Sequence, residues 1–150
     1  MNKIINNILI QSGWFNGRKV PINDIVNYWK NKKYTLYPNQ ISFIEEFNNL
    51  KLRFKNINNH NYTININPLV NDIPLFALKK YIAYANAELV CFGEIISQDT
   101  FLLITQDAKI YGAFEDEIVL MGNNFYDFLE NLYIDKDILW HSIKNFYQGS

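Results

Sequence analysis

Residues 88–121, ELVCFGEIISQDTFLLITQDAKIYGAFEDEIVLM, decide the fold class of this chain. They contain four segments rich in β-branched and aromatic residues, at 88–96, 100–105, 109–114 and 117–121. The breaks between these segments are short and polar, as hairpin turns require, and leave no room for a crossover helix. The stretch therefore predicts four consecutive antiparallel strands.

Upstream of this stretch, apolar residues recur first at helical spacing and then at strand spacing. Three stripes predict helices: Ile4, Ile5, Ile8 and Leu9; Ile22, Ile25, Val26 and Trp29; Phe43, Ile44, Phe47 and Leu50. Alternation at Leu52 and Phe54, and at Tyr62, Ile64 and Ile66, then predicts a hairpin. A fourth helix is expected to begin near Asp72-Ile73-Pro74 and to bury Leu75, Leu78, Ile82 and Ala85.

Downstream, two more helical segments are predicted. Phe125, Phe128, Leu129 and Leu132 form one stripe, and residues 138–146 form another, with Leu139, Ile143 and Phe146 facing inward. No repeat, low-complexity linker or domain boundary interrupts the chain. Residues 1–150 are therefore expected to form a single α+β domain. It would have N-terminal helices, a mainly antiparallel six-stranded sheet with one inserted helix, and C-terminal helices.

Net charge, cysteine content and hydropathy limit the kinds of partner and the cellular location that we expect. The 150 residues carry a net charge of −1, which gives no concentrated basic face for nucleic acid. Cys91 is the only cysteine, so no intramolecular disulfide can form, and a cytoplasmic protein is expected. The N-terminal segment lacks the features of a signal peptide, and no apolar run approaches the roughly 20 residues that span a bilayer. We expect neither a nucleic-acid nor a membrane partner.

Residues that carry chemistry are sparse. The sequence has no phosphate-binding glycine loop, no paired-cysteine motif and no His-Glu-x-x-His. His60 is expected in a solvated turn and His141 at a surface or packing position, and neither has an evident third ligand. Cys91 lies in an apolar run, which favours a buried hydrophobe over a nucleophile. The sequence predicts no catalytic, cofactor-binding or metal-binding residue and no cofactor, although a small hydrolase stays open as an alternative.

Acidic residues mark the predicted turns. Glu115, Asp116 and Glu117 are consecutive, and Asp99 and Asp107 lie in the two preceding turns. The structural interpretation is a set of solvated turns, and the functional one is contact with a basic partner. Successive carboxylates cannot all point one way on a strand, which argues against a metal site. Tyr81 and Tyr84 lie off the main stripe of the fourth helix, where exposure would suit protein recognition.

One segment resembles a known family. Residues 12–20, SGWFNGRKV, resemble the Gly-Trp-x-x-Gly-Arg signature of the third SUKH immunity family through Gly13, Trp14, Gly17 and Arg18. Further segments follow in the family's order: 42–50 (SFIEEFNNL), 89–94 (LVCFGE), 101–111 (FLLITQDAKIY) and 120–125 (LMGNNF). The resemblance covers about residues 1–134, leaving 135–150 as a C-terminal helical extension. Three departures replace family residues: Asn48-Asn49 stand for paired glycines, Cys91 for a proline, and Ala108 or Lys109 for a hairpin glycine.

The resemblance implies an immunity protein that is not an enzyme. Such a protein binds a bacterial polymorphic toxin, in many systems a nuclease, and neutralises it by stoichiometric occlusion. The partner would be a toxin domain encoded by a neighbouring gene. Asp99, Asp107 and Glu115–Glu117 are the candidate toxin contacts, whereas Gly13, Trp14, Gly17 and Arg18 are expected to be structural. The alternative is a non-catalytic peptide- or protein-binding scaffold with no toxin partner.

Overall fold

The computed structural model describes residues 2–68, 73 and 75–142. In this part of the chain five α-helices are present: α1 (Lys3–Gln11), α2 (Asn23–Asn31), α3 (Pro38–Phe47), α4 (Leu75–Ala85) and α5 (Phe125–Tyr133). The strands are β1 (Lys51–Lys55), β2 (Asn61–Ile66), β3 (Leu89–Ile95), β4 (Thr100–Thr105), β5 (Ile110–Phe114), β6 (Glu117–Gly122) and β7 (His141–Ser142). A short 3-10 helix, Ile96–Gln98, links β3 to β4.

The described strands form one sheet in which spatial order equals chain order, β1 to β7, and every neighbouring pair is antiparallel. Short polar breaks produce this order because each turn returns the chain directly beside the strand it has left. Two connections between the described strands are long: β2 to β3, which contains α4, and β6 to β7, which contains α5. The α+β class, the antiparallel pairing and the inserted helix are confirmed, with seven strands in place of the predicted six.

Local chemistry sets the ends of several helices. The Asn2 side chain accepts a hydrogen bond of 2.8 Å from the Ile4 N–H and caps α1. Asn124 caps α5 in the same way by accepting from the Asp127 N–H at 2.8 Å. Pro38 occupies the first turn of α3, where its missing N–H leaves no helical bond unmade.

Helices cover both faces of the sheet. On one face α3 and α5 pack against β3, where the Phe92 ring meets that of Phe43 at 4.7 Å and that of Phe125 at 6.3 Å. On the other face α4 packs against β3, and Tyr81 of α4 lines a cleft with Phe101 of β4. Strand β3 is therefore buried on both sides, which explains its continuous apolar run.

The neighbourhood of β3 accounts for two residue choices. Cys91 is fully buried, which agrees with its predicted role as a small core hydrophobe. Gly93 pairs with Ile66 of β2, and a Cβ at this position would lie 2.3 Å from the Asn65 carbonyl oxygen. A glycine is required here because the two backbones approach too closely for any side chain.

The segment after α5 contradicts the prediction of a last helix. Asp135 adopts a left-handed backbone with φ 58°, and the chain then extends until β7 pairs with the start of β6. Leu139, expected to face inward, is 75% exposed. The open edge of β6 supplies hydrogen-bond partners that outweigh a weak helical stripe. Ile143 and Phe146 lie outside the described residues.

Of the two alternatives for the tyrosines of α4, burial or exposure, the structure shows burial. Tyr81 is 3% exposed rather than presented to solvent, and Tyr84 is half-buried against the core. The helix lies flat on an apolar sheet face, so its buried surface is wider than the four-residue stripe that the sequence shows. Asp72 and Pro74, which were expected to start this helix, lie outside the described residues.

Candidate functional site

The family-like motif forms a tight turn directly after α1. Gly13 and Gly17 have φ values of 104° and 84°, in the left-handed region that favours glycine. The Arg18 N–H donates a hydrogen bond of 3.1 Å to the Phe15 carbonyl and closes the turn. Trp14 points inward and is 8% exposed, whereas Phe15 is 59% exposed at the tip. The glycines thus allow a turn that buries one aromatic ring and exposes the next.

This turn is attached to the C-terminal end of α3. The Trp14 indole Nε1 donates to the Glu46 carboxylate at 2.8 Å. The Arg18 guanidinium donates to the main-chain carbonyls of Glu46 and of Asn48, the latter at 2.8 Å. Carbonyls in the last turn of a helix lack intrahelical donors, so Arg18 supplies the partners that α3 needs.

At this attachment the positive charge of Arg18 lies beside the negative charge of Glu46. Partial burial lowers the pKa of Arg18, and the Glu46 carboxylate opposes that shift. An arginine remains charged across the physiological range, so its hydrogen bonds are charge-assisted. Tyr126 of α5 also reaches Glu46, at 3.5 Å, and its pKa is raised by burial first and by Glu46 second. The motif turn, α3 and α5 therefore meet at one carboxylate.

Two of the departures from the family pattern occupy glycine-like conformations. Asn49 has φ 68° directly before β1, and Ala108 has φ 70° in the β4–β5 turn. Asparagine tolerates this region better than most residues, while alanine adopts it at a cost of about 1 kcal/mol. The turns keep the geometry that a glycine would supply despite the substitutions.

The acidic turns divide between the two ends of the sheet. Hairpin turns of a meander alternate in position, so the link carrying Asp99 and the β5–β6 turn carrying Glu115 and Asp116 share one end. Glu117 begins β6 at the same end. Asp107 lies in the β4–β5 turn at the opposite end. The structure brings together four of the five candidate acids, and we call these four the acidic end.

The acidic end adjoins a cleft of about 290 Å³ between α4 and the sheet. Its floor is apolar, with contributions from Ala77 and Phe101, and its rim carries Lys80, Glu115 and Asp116. The Tyr81 hydroxyl donates to the Glu115 carbonyl and holds the β5–β6 turn against α4. Burial, then the charges of Asp116 and Glu115, raise the pKa of Tyr81 to about 12, so this hydroxyl stays protonated.

Asp107 is engaged within its own turn. It accepts a hydrogen bond from the Thr105 hydroxyl and forms an ion pair of 3.7 Å with Lys109. The Thr105 bond is the main cause that lowers the pKa of the Asp107 carboxyl, and the Lys109 charge adds to it. This carboxylate is held by the hairpin, in contrast to Glu115 and Asp116, which form no ion pair with any residue that the structure describes.

Convergent ligands do not occur in the described ranges. There, no group of three or more His, Cys, Asp or Glu side chains is arranged to hold a metal ion. His60 lies 3.9 Å from Asp135, and the His141 ring contacts that of Tyr84 at 6.1 Å. Among the helices of residues 2–68 and 75–142, none is long and apolar enough to cross a membrane.

Comparison with known proteins identifies one family. The family described as SUKH-3 immunity protein matches residues 1–135, which confirms the resemblance seen in the motif and in the ordered segments after it. Neither the curated proteins nor the solved structures contain a match to the chain.

Proposed function

Because the chain belongs to the SUKH-3 immunity protein family, we propose that it binds and neutralises a cognate bacterial polymorphic toxin. Neutralisation would be stoichiometric, with the immunity protein covering the toxin's active site. The toxin domain would be encoded by a neighbouring gene, and the complex would form in the cytoplasm. Residues 1–150 would act as one domain, by binding and without a catalytic step.

Family membership is the observation that carries this proposal, and the arrangement of the motif supports it. The side chains of Trp14 and Arg18 donate hydrogen bonds to residues at the C-terminal end of α3. We therefore propose that Gly13, Trp14, Gly17 and Arg18 build the scaffold and do not touch the toxin. The contact surface must then lie elsewhere.

We propose the acidic end as a contact surface. Its carboxylates would attract a basic surface such as the nucleic-acid groove of a nuclease toxin. Glu115 and Asp116 have no ion-pair partner within the described chain, so their charge is available. Tyr81 holds their turn in place, which reduces the entropy lost on binding. Asp107, at the far end and already paired, would contribute less.

The test is co-expression with the C-terminal domain of the toxin encoded next to this gene. Wild-type protein should restore growth and co-purify with that domain in a 1:1 complex. The double variant Glu115→Gln, Asp116→Asn should associate about tenfold more slowly at low salt, with a smaller salt dependence. Asp107→Asn removes one charge at the other end and serves as the control.

Absence of rescue and of co-purification by the wild-type protein contradicts the immunity function. A genome in which no toxin reading frame adjoins the gene would favour a peptide- or protein-binding scaffold instead. Equal association rates for the wild-type protein, the double variant and the Asp107→Asn control would leave the toxin partner in place but reject the acidic end.

A further inference from the structure

Strand β1 is a terminal strand of the sheet. Two hydrogen bonds show which of its residues direct their main-chain groups toward β2 and which direct them away. The Ile66 N–H donates to the Leu50 carbonyl at 2.9 Å, and the Asn56 N–H donates to the His60 carbonyl at 3.0 Å. In an antiparallel pair, residues that bond to the partner strand alternate with residues whose polar groups point away. Leu50, Leu52, Phe54 and Asn56 therefore face β2.

The alternate residues Lys51, Arg53 and Lys55 direct their main-chain N–H and C=O groups to the outside of the sheet. No strand of the described chain lies beyond β1, and no turn or side-chain hydrogen bond in the described ranges ends on these groups. A terminal strand with such groups is a template for a further strand. We call this side of β1 the basic edge.

The same three residues place their side chains on one face of the sheet. All three are exposed, and their cross-strand neighbours in β2 are uncharged: Asn65, Thr63 and Asn61. None of the three forms an ion pair with a described residue. Alternate strand residues lie about 7 Å apart, so the row spans about 14 Å. The basic edge thus combines unpaired main-chain groups with three unpaired positive charges.

The three positive charges of the basic edge disfavour pairing with a second copy of β1 and favour pairing with an acidic strand. A second copy of β1 paired in antiparallel fashion would bring like charges opposite each other, which is destabilising. Lysine on an edge strand protects a sheet in this way against self-association. The same row is complementary to a strand with carboxylates at alternate positions.

We propose that the basic edge binds an extended segment of a partner protein by strand addition. Carboxylates at alternate positions of that segment would face Lys51, Arg53 and Lys55. The intervening residues would be apolar and would cover Phe54, which is half-buried and stacks on Tyr62 at 5.4 Å. Free main-chain groups point to a peptide, because a nucleic acid offers no alternating N–H and C=O groups to pair with them.

This site is separate from the acidic end and requires no toxin. It gives the chain a second recognition surface of opposite charge. Its failure and that of the proposed function are distinguishable, since growth rescue tests one and direct peptide binding tests the other.

The first test uses a fluorescein-labelled synthetic peptide in which Glu and Val alternate over seven positions, added to the full chain. Binding is followed by anisotropy and by amide hydrogen exchange. Strand addition should slow exchange about tenfold or more at the amides of Lys51, Arg53 and Lys55. The amides of Leu52 and Phe54, already bonded to β2, should change little.

Two N-methylated versions of the same peptide give the control, because they share its charge. Methylation of the amides that face β1 should abolish binding, and methylation of the other amides should preserve it. Equal binding of both versions would mean charge attraction alone and would overturn the proposal. Binding of single-stranded DNA with no protection of these amides, or a β1-mediated dimer of the free chain in sedimentation, would overturn it too.

The second test exchanges charge. Arg53→Glu should weaken binding of the Glu/Val peptide about tenfold or more, because a carboxylate of the peptide then faces a carboxylate of β1. Lys30→Glu, on the exposed side of α2, makes the same change in net charge away from β1. An equal loss of affinity in both variants would reject the basic edge as the binding site.

Discussion

Arg18 offers the most direct test of the motif's role. Replacing it with Met keeps an unbranched apolar stem and removes both hydrogen bonds to the carbonyls of Glu46 and Asn48. Hydrogen bonds to a charged group contribute about 1.5–3 kcal/mol each, and the lower end applies at a part-buried site. We expect Arg18→Met to lower the free energy of unfolding by about 2–3 kcal/mol and Tm by about 5–10 °C.

The measurement is urea unfolding followed by circular dichroism, with the slope m compared among variants. Lys19→Met is the matched control, because Lys19 is adjacent and its side chain is 73% exposed, in an ion pair of 3.7 Å with Glu45. Such a pair contributes under about 0.5 kcal/mol. Arg18→Lys, which can reach one carbonyl, should lie between Arg18→Met and the wild-type protein.

A free energy of unfolding for Arg18→Met within about 0.5 kcal/mol of that for Lys19→Met would refute the attachment. A second outcome concerns function. If Arg18 is purely a scaffold residue, folded Arg18→Met should bind the toxin domain with wild-type affinity. Lost affinity in a fully folded variant would place Arg18 in the contact surface.

Three further predictions concern single positions. Tyr81→Phe should cost about 1 kcal/mol and speed amide exchange in the β5–β6 turn, because the Glu115 carbonyl loses its donor; unchanged exchange would contradict this. The pKa of the Asp107 carboxyl is lowered from its ordinary value of 3.8. The stability that this carboxylate gives the folded protein is therefore complete above pH 3.8 and is lost as the pH falls through the lower pKa of the folded state. The stability difference between wild-type protein and Asp107→Asn should therefore be constant in neutral solution and shrink below about pH 4, and a difference that grows on acidification would show the opposite sign. Gly93→Ala should destabilise by about 2 kcal/mol or more in urea unfolding, since its Cβ would meet the Asn65 carbonyl, and a neutral effect would disprove that approach.

The antiparallel meander could be predicted because its evidence is local. Each turn between β3 and β6 is a short polar break, and each break permits only a neighbouring antiparallel strand. The motif residues Trp14 and Arg18 could be found through resemblance, but their partner Glu46 lies 28 or more residues away and has no sequence signal. Tertiary contacts of this kind depend on how α3 meets the motif turn.

The errors have physical causes. The helical stripe around Leu139 was weak, and the open edge of β6 decided the outcome by offering backbone partners. The sequence leaves the exposure of Tyr81 open because a stripe shows the centre of a buried helix face and not its width. The sequence does not indicate the basic edge. Alternation of residues shows which face of the sheet a side chain occupies, but only the order of the strands in the sheet shows that β1 is an edge strand.

Equality of spatial and chain order in the sheet has a kinetic consequence. Most paired strands of the described sheet lie a short distance apart along the chain, so relative contact order is low for a sheet of this size. The exceptions are β2–β3 and β6–β7, which are each joined through a helix. Isolated hairpins close in about 1–10 μs, and this sheet can assemble one hairpin after another as the polypeptide leaves the ribosome. A chain proposed to restrain a toxin made beside it would gain from reaching its binding-competent form early.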